Sequence, residues 1–405
     1  MQIGLFLLGC YSAANHSQIT FHACWVTSIS EMIWTNTYPL ILWLTYVSGN
    51  KVKENVLKAI QHLEDNTCLR FLRFDDALPD LKFYLRIGKD SAGGCYANIG
   101  RMRESKQPQV VSLSGPGCED VGSVIHELGH IVGLHHEHSR KDRNKYIKVN
   151  FKNVRENAML NFMMMEGVET LAEYDVGSIM HYGTYDFSRN SEPTIEVRDQ
   201  ALSFLAGNRR GLSYYDIKSL SKAYRCTVQC PYRLSCENGG FLHSLKGNTD
   251  CFCKCPDGLA GNTCNRIDPR AMSGPHGFCG GVISLSLSWF DRAFIHSPRF
   301  PFNYPRRQKC LWLLKGPTGS VIKLSFIYFD IKADSNKCIH WLEVRSNLVG
   351  QPGPRYCGRW NGGIIVSKDQ HNNMMVVKFD STEHVGYATT GFAAIASAIV
   401  TPDTF

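Results

Sequence analysis

The sequence lacks several features that would place the protein in a particular class. It has no run of five basic residues despite a net charge of +8, which argues against nucleic-acid binding and a membrane-surface role. Its longest apolar runs, near Ile3–Leu8 and Leu40–Val47, are too short to span a bilayer. With 405 residues, of which 43% are hydrophobic and 20% are charged, the chain has the composition of a globular protein with two or three domains.

Cysteine, by contrast, is abundant. The chain has sixteen cysteines, and such a density outside metal-ligand spacing indicates an oxidising compartment. We therefore expect a secreted protein whose residues 1–14 are a signal peptide, with Ile3–Leu8 as its apolar region and Ser12-Ala13-Ala14 as its cleavage site. No lysine or arginine precedes that apolar region, which is a departure from the usual signal peptide. Asn15 begins an Asn-His-Ser sequence, a candidate acceptor for N-glycosylation.

The stretch from His126 to Glu137 carries the strongest chemical signal. Apolar residues recur at helical spacing in and before it, which predicts a helix with one buried face; they are Val121, Val124, Ile125, Leu128, Ile131 and Val132. His126 and His130 are one helical turn apart on the same face, so their imidazoles can bind one zinc ion. Glu127, between them, can contact a water molecule bound to that metal.

The chain after this helix is expected to supply a third ligand. Gly133 can adopt the positive φ that ends a helix, which lets the chain turn back and bring His136 to the metal. Three protein ligands leave one position open for water, which is typical of a catalytic zinc site. Further along, Ser178-Ile179-Met180-His181-Tyr182 is typical of the Met-turn of metzincin metalloproteases.

Two parts of the sequence, HELGHIVGLHHEHSRKDR from His126 to Arg143 and the stretch Ser178–Tyr182, resemble the astacin family of zinc endopeptidases. The glutamate directly after the third histidine, Glu137, distinguishes astacins from other metzincins. The resemblance covers residues 34–226. It implies an α+β metzincin domain split by a cleft, with one zinc ion per chain at the floor of that cleft.

The same resemblance assigns a role to each functional residue of these two parts. His126, His130 and His136 would be the zinc ligands, and Glu127 the general base. Tyr182 would bind zinc in the resting enzyme and support the oxyanion during the reaction. Met180 would pack beneath the imidazoles, and Glu137 would be buried and form a structural bond near the mature N-terminus.

Alternation and helical spacing outline the rest of the peptidase region. An amphipathic helix is predicted from Asn50 onward, with Val52, Val56, Ala59, Ile60 and Leu63 on its apolar face. Strands are predicted over Leu40–Val47, Phe83–Ile87, Cys95–Ile99 and Gln109–Leu113. We expect residues Cys95–Asn98 to form an edge strand that could pair with an extended substrate.

Four cysteines belong to the peptidase region, and the sequence alone allows three pairings among them. The resemblance to astacins selects Cys68–Cys226, which joins the two ends of the domain, and Cys95–Cys118, which closes the loop before the zinc helix. Each closed loop is expected to stabilise the fold by about 2–4 kcal/mol, because it restricts the unfolded chain.

Residues 227–265 resemble an EGF-like domain. That resemblance implies the disulfides Cys230–Cys251, Cys236–Cys253 and Cys255–Cys264. The acidic pair that binds calcium ahead of the first cysteine is absent, since Thr227-Val228-Gln229 stand there, so we expect a calcium-free spacer. Residues 266–278, which contain several prolines and glycines, are predicted to be a linker.

Residues 279–398 resemble a CUB domain, an all-β sandwich, and are followed by a short tail at 399–405. The resemblance implies the disulfides Cys279–Cys310 and Cys338–Cys357. His340 stands where calcium-binding CUB domains carry an aspartate, so little calcium binding is expected. The EGF-like and CUB modules are expected to bind substrate or matrix proteins.

Several other residues have two interpretations. His135, His138 and His181 are tempting as extra ligands, but surface or outer-sphere histidines are the favoured interpretation. Arg209 and Arg210 are candidates for binding an acidic substrate residue near the cleft, and solvated surface arginines are the alternative.

Two functions from different classes follow from these patterns. The favoured one is a secreted zinc metalloendopeptidase that acts on extracellular or matrix proteins. The alternative is a catalytically silent adhesion protein that uses its EGF-like and CUB modules on an inactive protease scaffold. The presence of all three histidines, Glu127 and Tyr182 favours the enzyme, because an inactive scaffold is free to lose any of them.

The segment before the peptidase domain, residues 15–33, departs from the astacin pattern. Astacins normally carry a pro-segment aspartate that binds the zinc, yet no aspartate precedes Asp65 here. Cys10 and Cys24 lie beyond the fourteen cysteines that the three modules use. We therefore expect no aspartate-based latency; a Cys24 thiolate that binds the metal and an incomplete N-terminus are the open alternatives.

Overall fold

The computed structural model describes residues 40–43, 50–73, 85–91, 93–102, 109–228, 230, 234–245, 251–274, 277, 279–335, 337–360, 362–367, 373–383 and 388–400. The expectations for the signal peptide, Asn15, Cys10 and Cys24 lie outside these residues. Among the described residues, no helix combines the length and apolar character needed to cross a membrane. The chain divides into two compact units, Met1–Arg233 with His243–Cys251 and Leu234–Leu242 with Phe252–Phe405.

The first unit contains a five-stranded sheet that begins the peptidase domain. Its strands are β1 (Leu40–Trp43), β2 (Phe71–Arg73), β3 (Leu85–Gly88), β4 (Cys95–Ala97) and β5 (Gln109–Leu113), in the order β2-β1-β3-β5-β4. The pairings are parallel except for β4, which runs antiparallel to β5. The edge position expected for residues 95–98 is therefore the position of β4.

Three helices accompany this sheet: α1 (Asn50–Asn66), α2 (Val121–Ile131) and α3 (Tyr214–Ala223). The five apolar residues that predicted α1 are all buried, and they pack in one cluster with the apolar residues of α2, β3 and β5. Burial of this shared face, at about 25 cal/mol per Å² of apolar surface, holds the two helices against the sheet.

The second half of the peptidase domain is irregular. It consists of short 3-10 turns, a two-stranded antiparallel sheet of β6 (Ile147–Val149) and β7 (Ile195–Val197), and α3. It has its own apolar cluster, which includes Ile147, Phe162 and Tyr182. Met180 belongs instead to the cluster around α1 and α2. The Met-turn therefore contributes residues to both apolar clusters, Met180 to one and Tyr182 to the other.

The second unit is mainly a sandwich of two sheets. One sheet contains β12 (Cys279–Ser284), β14 (Lys309–Lys315), β22 (Met374–Asp380), β18 (Trp341–Arg345) and β19 (Arg355–Tyr356). The other contains β13 (Ala293–His296), β23 (Gly391–Ile399), β15 (Val321–Ile331), β20 (Gly358–Trp360) and, beside β15, β21 (Gly363–Val366). Two short strands, β16 (Ala333–Asp334) and β17 (Lys337–Cys338), pair with each other.

Residues 227–265, the region expected to be EGF-like, contain β8 (Phe241–Ser244), β9 (Cys251–Lys254) and β10 (Leu259–Ala260), and β11 (Arg266–Ile267) follows them. Strand β11 pairs with β10 and a 3-10 turn at Pro269–Ala271 follows, so the segment predicted to be a linker carries secondary structure. Leu259 and Ile267 pack in one apolar cluster with Leu311 of the sandwich. This packing joins the end of the EGF-like region to the CUB domain within the second unit.

The described residues form seven disulfides, with the same pairs as the resemblance implied: Cys68–Cys226, Cys95–Cys118, Cys230–Cys251, Cys236–Cys253, Cys255–Cys264, Cys279–Cys310 and Cys338–Cys357.

Candidate metal centre

Three imidazoles converge at the end of α2. His126 and His130 lie on one face of the helix, and His136 approaches from the segment that follows it. The distance from His136 Nε2 is 3.2 Å to His130 Nε2 and 3.3 Å to His126 Nε2. The ligand atoms of the three histidines all lie within 4.8 Å of one another. In the described part of the chain, they form the one cluster of three or more His, Cys, Asp or Glu residues that could hold a metal ion.

The reversal of the chain after α2 places His136. Gly133 has a φ of 88°, the left-handed conformation that glycine adopts without strain. Its N–H bonds to the carbonyl of His130 at 2.8 Å, and the N–H of Leu134 bonds to the carbonyl of Gly129 at 2.9 Å. The helix therefore ends within one turn of His130, and the chain returns towards the two imidazoles.

Backbone carbonyls orient two of the three rings. His126 Nδ1 donates to the carbonyl of Ile179 at 2.8 Å, and His130 Nδ1 donates to the carbonyl of Leu134 at 2.9 Å. Each ring therefore carries its proton on Nδ1 and presents the Nε2 lone pair to the cluster. Burial lowers the pKa of His126 to about 3 and that of His130 to about 4, so both imidazoles are neutral.

The arrangement fits a tetrahedral zinc ion. Zinc–nitrogen bonds of about 2.0–2.1 Å at tetrahedral angles separate ligand atoms by about 3.3–3.4 Å. The two separations from His136, 3.2 and 3.3 Å, are close to that value, and all three ligand atoms lie within 4.8 Å of one another. Because His126 and His130 carry their protons on Nδ1, at least two Nε2 lone pairs point into this cluster, which suits a bound cation.

Glu127 also indicates that the site binds a further group. The residue is buried beside the histidines, and its Oε2 atom has no hydrogen-bond partner among the described residues. An orphaned buried carboxylate oxygen is costly, because its hydration is lost without replacement. Burial raises the pKa of Glu127 to about 7, and the positive charge of Arg209 opposes that rise. The carboxyl group is thereby suited to exchanging a proton near neutral pH.

The Met-turn passes directly beneath the helix. A Cβ added at Gly129 would lie 2.9 Å from Met180 Sδ, so the glycine gives the methionine side chain room against α2. Met180 is buried against the zinc helix, as a packing residue beneath the imidazoles. Tyr182, two residues later, lies with its ring centroid 4.6 Å from that of His136. Burial raises the pKa of Tyr182 above its ordinary value, so the phenol is protonated at neutral pH.

Comparisons with known proteins decide the family. Residues 27–225 match the family model of the astacin peptidases, and residues 279–395 match that of the CUB domain. The peptidase domain belongs to the astacin family. Astacin-family peptidases bind one zinc ion, and the cluster of His126, His130 and His136 provides the donor set for it.

The most similar relatives include zinc metalloproteinases. The chain is 31% identical over 375 residues to Protein SpAN of Strongylocentrotus purpuratus, which covers 90% of this chain and 57% of SpAN. It is 32% identical over 332 residues to zinc metalloproteinase dpy-31 of Caenorhabditis elegans, which covers 80% of this chain and 53% of that protein. The chain therefore spans less than two thirds of the length of these relatives.

Among solved structures, the chain is similar to high choriolytic enzyme 1, a hatching-enzyme zinc protease of the medaka Oryzias latipes. The two share 25% sequence identity with a TM-score of 0.44, over 50% of this chain and 99% of that chain.

The astacin glutamate, Glu137, is mostly buried and makes structural bonds. Its Oε1 atom accepts hydrogen bonds from Arg140 Nη1 and from the backbone N–H of Asp175, both at 2.9 Å. These bonds tie the third-ligand segment to the chain that leads into the Met-turn. Glu137 therefore positions the site and does not contribute a ligand to the described cluster.

The three further histidines all lie outside the ligand cluster. His181 is buried, donates from Nδ1 to the carbonyl of Tyr182 at 2.6 Å and accepts from Tyr174 Oη at 2.9 Å. His135 is half-buried, with Nδ1 at 3.0 Å from Met165 Sδ. His138 is fully buried and donates from Nε2 to the carbonyl of Asn161 at 2.9 Å.

The two arginines that are adjacent in the sequence differ in the fold. Arg209 Nη1 donates to the carbonyl of Ile179 at 2.9 Å and to that of His181 at 3.3 Å, which fastens it to the Met-turn. Its backbone carbonyl lies so close to α2 that a Cβ at Gly122 would be 1.7 Å from it. Arg210 is exposed. The charge of Arg209 therefore acts on the site, as its effect on Glu127 shows.

Sequence reasoning missed Asp216. This buried residue accepts hydrogen bonds from Ser178 Oγ at 2.6 Å and from the N–H of Ile179 at 2.9 Å. It also forms a capping box with Ser213 at the start of α3. One carboxylate thus anchors the Met-turn to α3. The spacing of Ser213 and Asp216 is a sequence signal for the start of a helix. No sequence signal indicates that Asp216 also bonds to the Met-turn.

Proposed function

We propose that this protein is a secreted zinc metalloendopeptidase that hydrolyses peptide bonds in extracellular proteins. The observation that carries this proposal is the convergence of three neutral imidazoles beside a buried glutamate whose Oε2 atom has no partner among the described residues. A structural zinc site has no use for such a carboxylate, whereas hydrolysis needs a base next to the open coordination position.

Glu127 is the general base and then the general acid. When bound, zinc supplies a water molecule of lowered pKa and polarises the scissile carbonyl. Glu127 takes the proton of that water at Oε2 and returns it to the leaving amine nitrogen. Its burial next to His126 and His130 supports this assignment, because a base works best when its pKa is close to the working pH.

Tyr182 stabilises the developing oxyanion. Its buried phenol keeps its proton at neutral pH and can donate a hydrogen bond to the oxygen that gains charge. Its position beside His136 supports a second role as a metal ligand in the resting enzyme. Tyr182→Phe is expected to lower kcat/KM by about 10²–10³, the usual cost of removing one such donor.

The strand β4 is the proposed binding edge for substrate. It is the last strand of its sheet, and Tyr96 on it is partly exposed. The backbone N–H of Gly100, just beyond β4, donates to the carbonyl of His130 at 2.7 Å. An extended peptide paired with this edge would therefore run past the zinc ligands.

Arg209 is the proposed partner of an acidic substrate residue. Its Nη1 atom is held by the carbonyls of Ile179 and His181, and nothing in the described part of the chain forms an ion pair with it. Peptides with aspartate near the scissile bond are expected to be cleaved faster than matched asparagine peptides. Arg209→Lys should reduce this preference, since lysine lacks the planar fork that binds a carboxylate.

Seven disulfides support an extracellular location, since such bonds persist in oxidising compartments. The CUB and EGF-like modules are the proposed binding sites for substrate or matrix proteins.

Hydrolysis of a fluorogenic peptide by the full chain tests the proposed function. We expect hydrolysis that a zinc chelator abolishes and that added zinc restores. His135→Ala serves as a matched control, because His135 lies near the site but outside the ligand cluster. Absence of hydrolysis in a zinc-loaded, folded chain towards a broad peptide mixture would favour the catalytically silent adhesion protein instead.

A further inference from the structure

Tyr182 lies in a cage of rings. The centroid of its ring is 3.9 Å from that of His138, 4.6 Å from that of His136, 5.3 Å from that of Phe187 and 5.5 Å from that of Phe162. Of these four, only the His138 ring is stacked on it, with an interplanar angle of 29°. The flat face of His138 is therefore the surface on which the phenol rests.

His138 is itself rigidly held. It lies in the short 3-10 turn Glu137–Ser139, and its Nε2 atom donates to the carbonyl of Asn161. Arg143 Nη1 donates to its backbone carbonyl at 3.0 Å. Ring and backbone are thus both fixed, so His138 restricts the positions that the tyrosine ring can take.

The chemistry of His138 indicates more than packing. The residue is fully buried, yet its Nδ1 atom has no hydrogen-bond partner in the described part of the chain. A buried acceptor without a partner lowers stability, and an apolar side chain of the same size would avoid that cost. The stacked ring therefore occupies this position at a cost in stability, which is typical of residues that serve a site.

The position of His138 in the chain links it to the metal centre. It follows the third ligand, His136, by two residues, and both rings contact Tyr182. The short segment from His136 to His138 therefore positions both a metal ligand and the ring that packs against Tyr182. Any displacement of this segment would move both.

We propose that His138 is a positioning residue that holds the Tyr182 phenol in place to bind the metal and to support the oxyanion. It acts through the stacking of its ring and does not itself bind metal or substrate. This inference rests on the proposed function of Tyr182.

The test replaces zinc by copper(II) in the full chain and reads its visible absorption. A phenolate bound to copper(II) gives a charge-transfer band in the visible region, which imidazole ligands do not give. The variants are His138→Leu, which fills the space without a flat ring, and His138→Phe, which restores the ring without Nε2. His135→Ala is the control, since His135 contacts Met165 and belongs to the same segment.

We expect the band in the wild type, in His138→Phe and in His135→Ala, and its loss in His138→Leu at unchanged copper content. The zinc form of His138→Leu should lose about tenfold in kcat with little change in KM, as replacements around a metal site do. In a Tyr182→Phe background, the same change should cost nothing further, because the two residues act as a unit.

The outcomes separate the two claims. Absence of the band in the wild type would overturn the role of Tyr182 as a ligand and this inference with it. A band in the wild type that persists in His138→Leu would overturn the inference alone. Circular dichroism and copper content show whether His138→Leu is folded; if it is not, His138→Phe decides, since loss of the band there at wild-type copper content would overturn the inference and retention would support it.

Discussion

The buried histidines of the peptidase domain and of the CUB domain differ in the hydrogen-bond partners of their ring nitrogens. In the peptidase domain, the Nε2 atoms of His126, His130 and His136 converge, and those of His126 and His130 present lone pairs because the ring proton is on Nδ1. In the CUB domain, His340 is fully buried and both of its nitrogens are bonded: Nδ1 accepts from Tyr304 Oη at 2.8 Å, and Nε2 donates to the carbonyl of Glu383 at 3.0 Å.

This difference teaches how hydrogen-bond partners decide whether a buried histidine can bind a metal. Converging lone pairs favour a cation between them, so the first site suits a metal. A histidine whose two nitrogens are both bonded has no lone pair left to offer to a metal. The number of unmet acceptors, and not the residue type, separates the two environments.

The largest effect is expected at the unmet carboxylate of the metal centre. Glu127→Ala should lower kcat by at least about 10²–10⁴ while zinc content stays at one per chain, because the base is not a ligand. Peptide hydrolysis and metal analysis on the same preparation check this. Wild-type hydrolysis in this variant would remove Glu127 from the mechanism.

A smaller effect is expected from the residue that anchors the Met-turn. Asp216→Ala removes the carboxylate oxygen that accepts from the N–H groups of Ile179 and Ser213. Because the carbonyl of Ile179 orients His126, zinc affinity should fall by about 10–100-fold. Competition with a chelator measures it. Asp65→Ala, the same change at an exposed position of α1, is the control, and equal affinities in the two variants would contradict the prediction.

The pH dependence is expected to follow Glu127. Burial raises its pKa to about 7, and a bound dication favours the carboxylate and lowers that value, so the acid limb lies at or below pH 7. Below its pKa the base is protonated, and kcat/KM should fall about tenfold per pH unit. A pH profile with an uncharged peptide measures this, and kcat/KM that rises towards acid pH would contradict it.

The smallest effect is expected in the CUB domain. Millimolar calcium should leave the thermal unfolding of the full chain unchanged, because His340 and Tyr304 satisfy each other at the position of the expected aspartate. Scanning calorimetry with and without calcium tests this. His340→Asp is the sharper variant, since it restores a carboxylate. If calcium raised the unfolding temperature of the wild type by several degrees but not that of the His340→Asp variant, the prediction would be wrong.

Much of the metal centre was predictable from local sequence. Helical periodicity predicts that His126 and His130 share a face, and the positive φ available to Gly133 predicts the reversal that brings His136 back. These are short-range geometric consequences of residue type and spacing. The strand predicted from alternation at Gln109–Leu113 is present with those bounds, and the one predicted at Cys95–Ile99 ends at Ala97.

The contacts that complete the site join residues far apart in the chain. Arg209 and Arg210 look equivalent in sequence, yet only Arg209 bonds to the Met-turn, because Gly122 leaves room for its backbone beside α2. His138 and His135 look equally peripheral, yet only His138 stacks on Tyr182. No periodicity or spacing distinguishes the members of these pairs.

The sequence by itself determined the chemistry of the centre, since ligand type, spacing and helix end depend on neighbouring residues. The tertiary structure alone decided which buried groups have partners. Within the described part of the chain, Glu127 Oε2 has no hydrogen-bond partner, whereas both nitrogens of His340 are bonded. The physical reason is that hydrogen-bond satisfaction in a protein interior depends on which distant segments pack together, and local patterns carry no information about that packing.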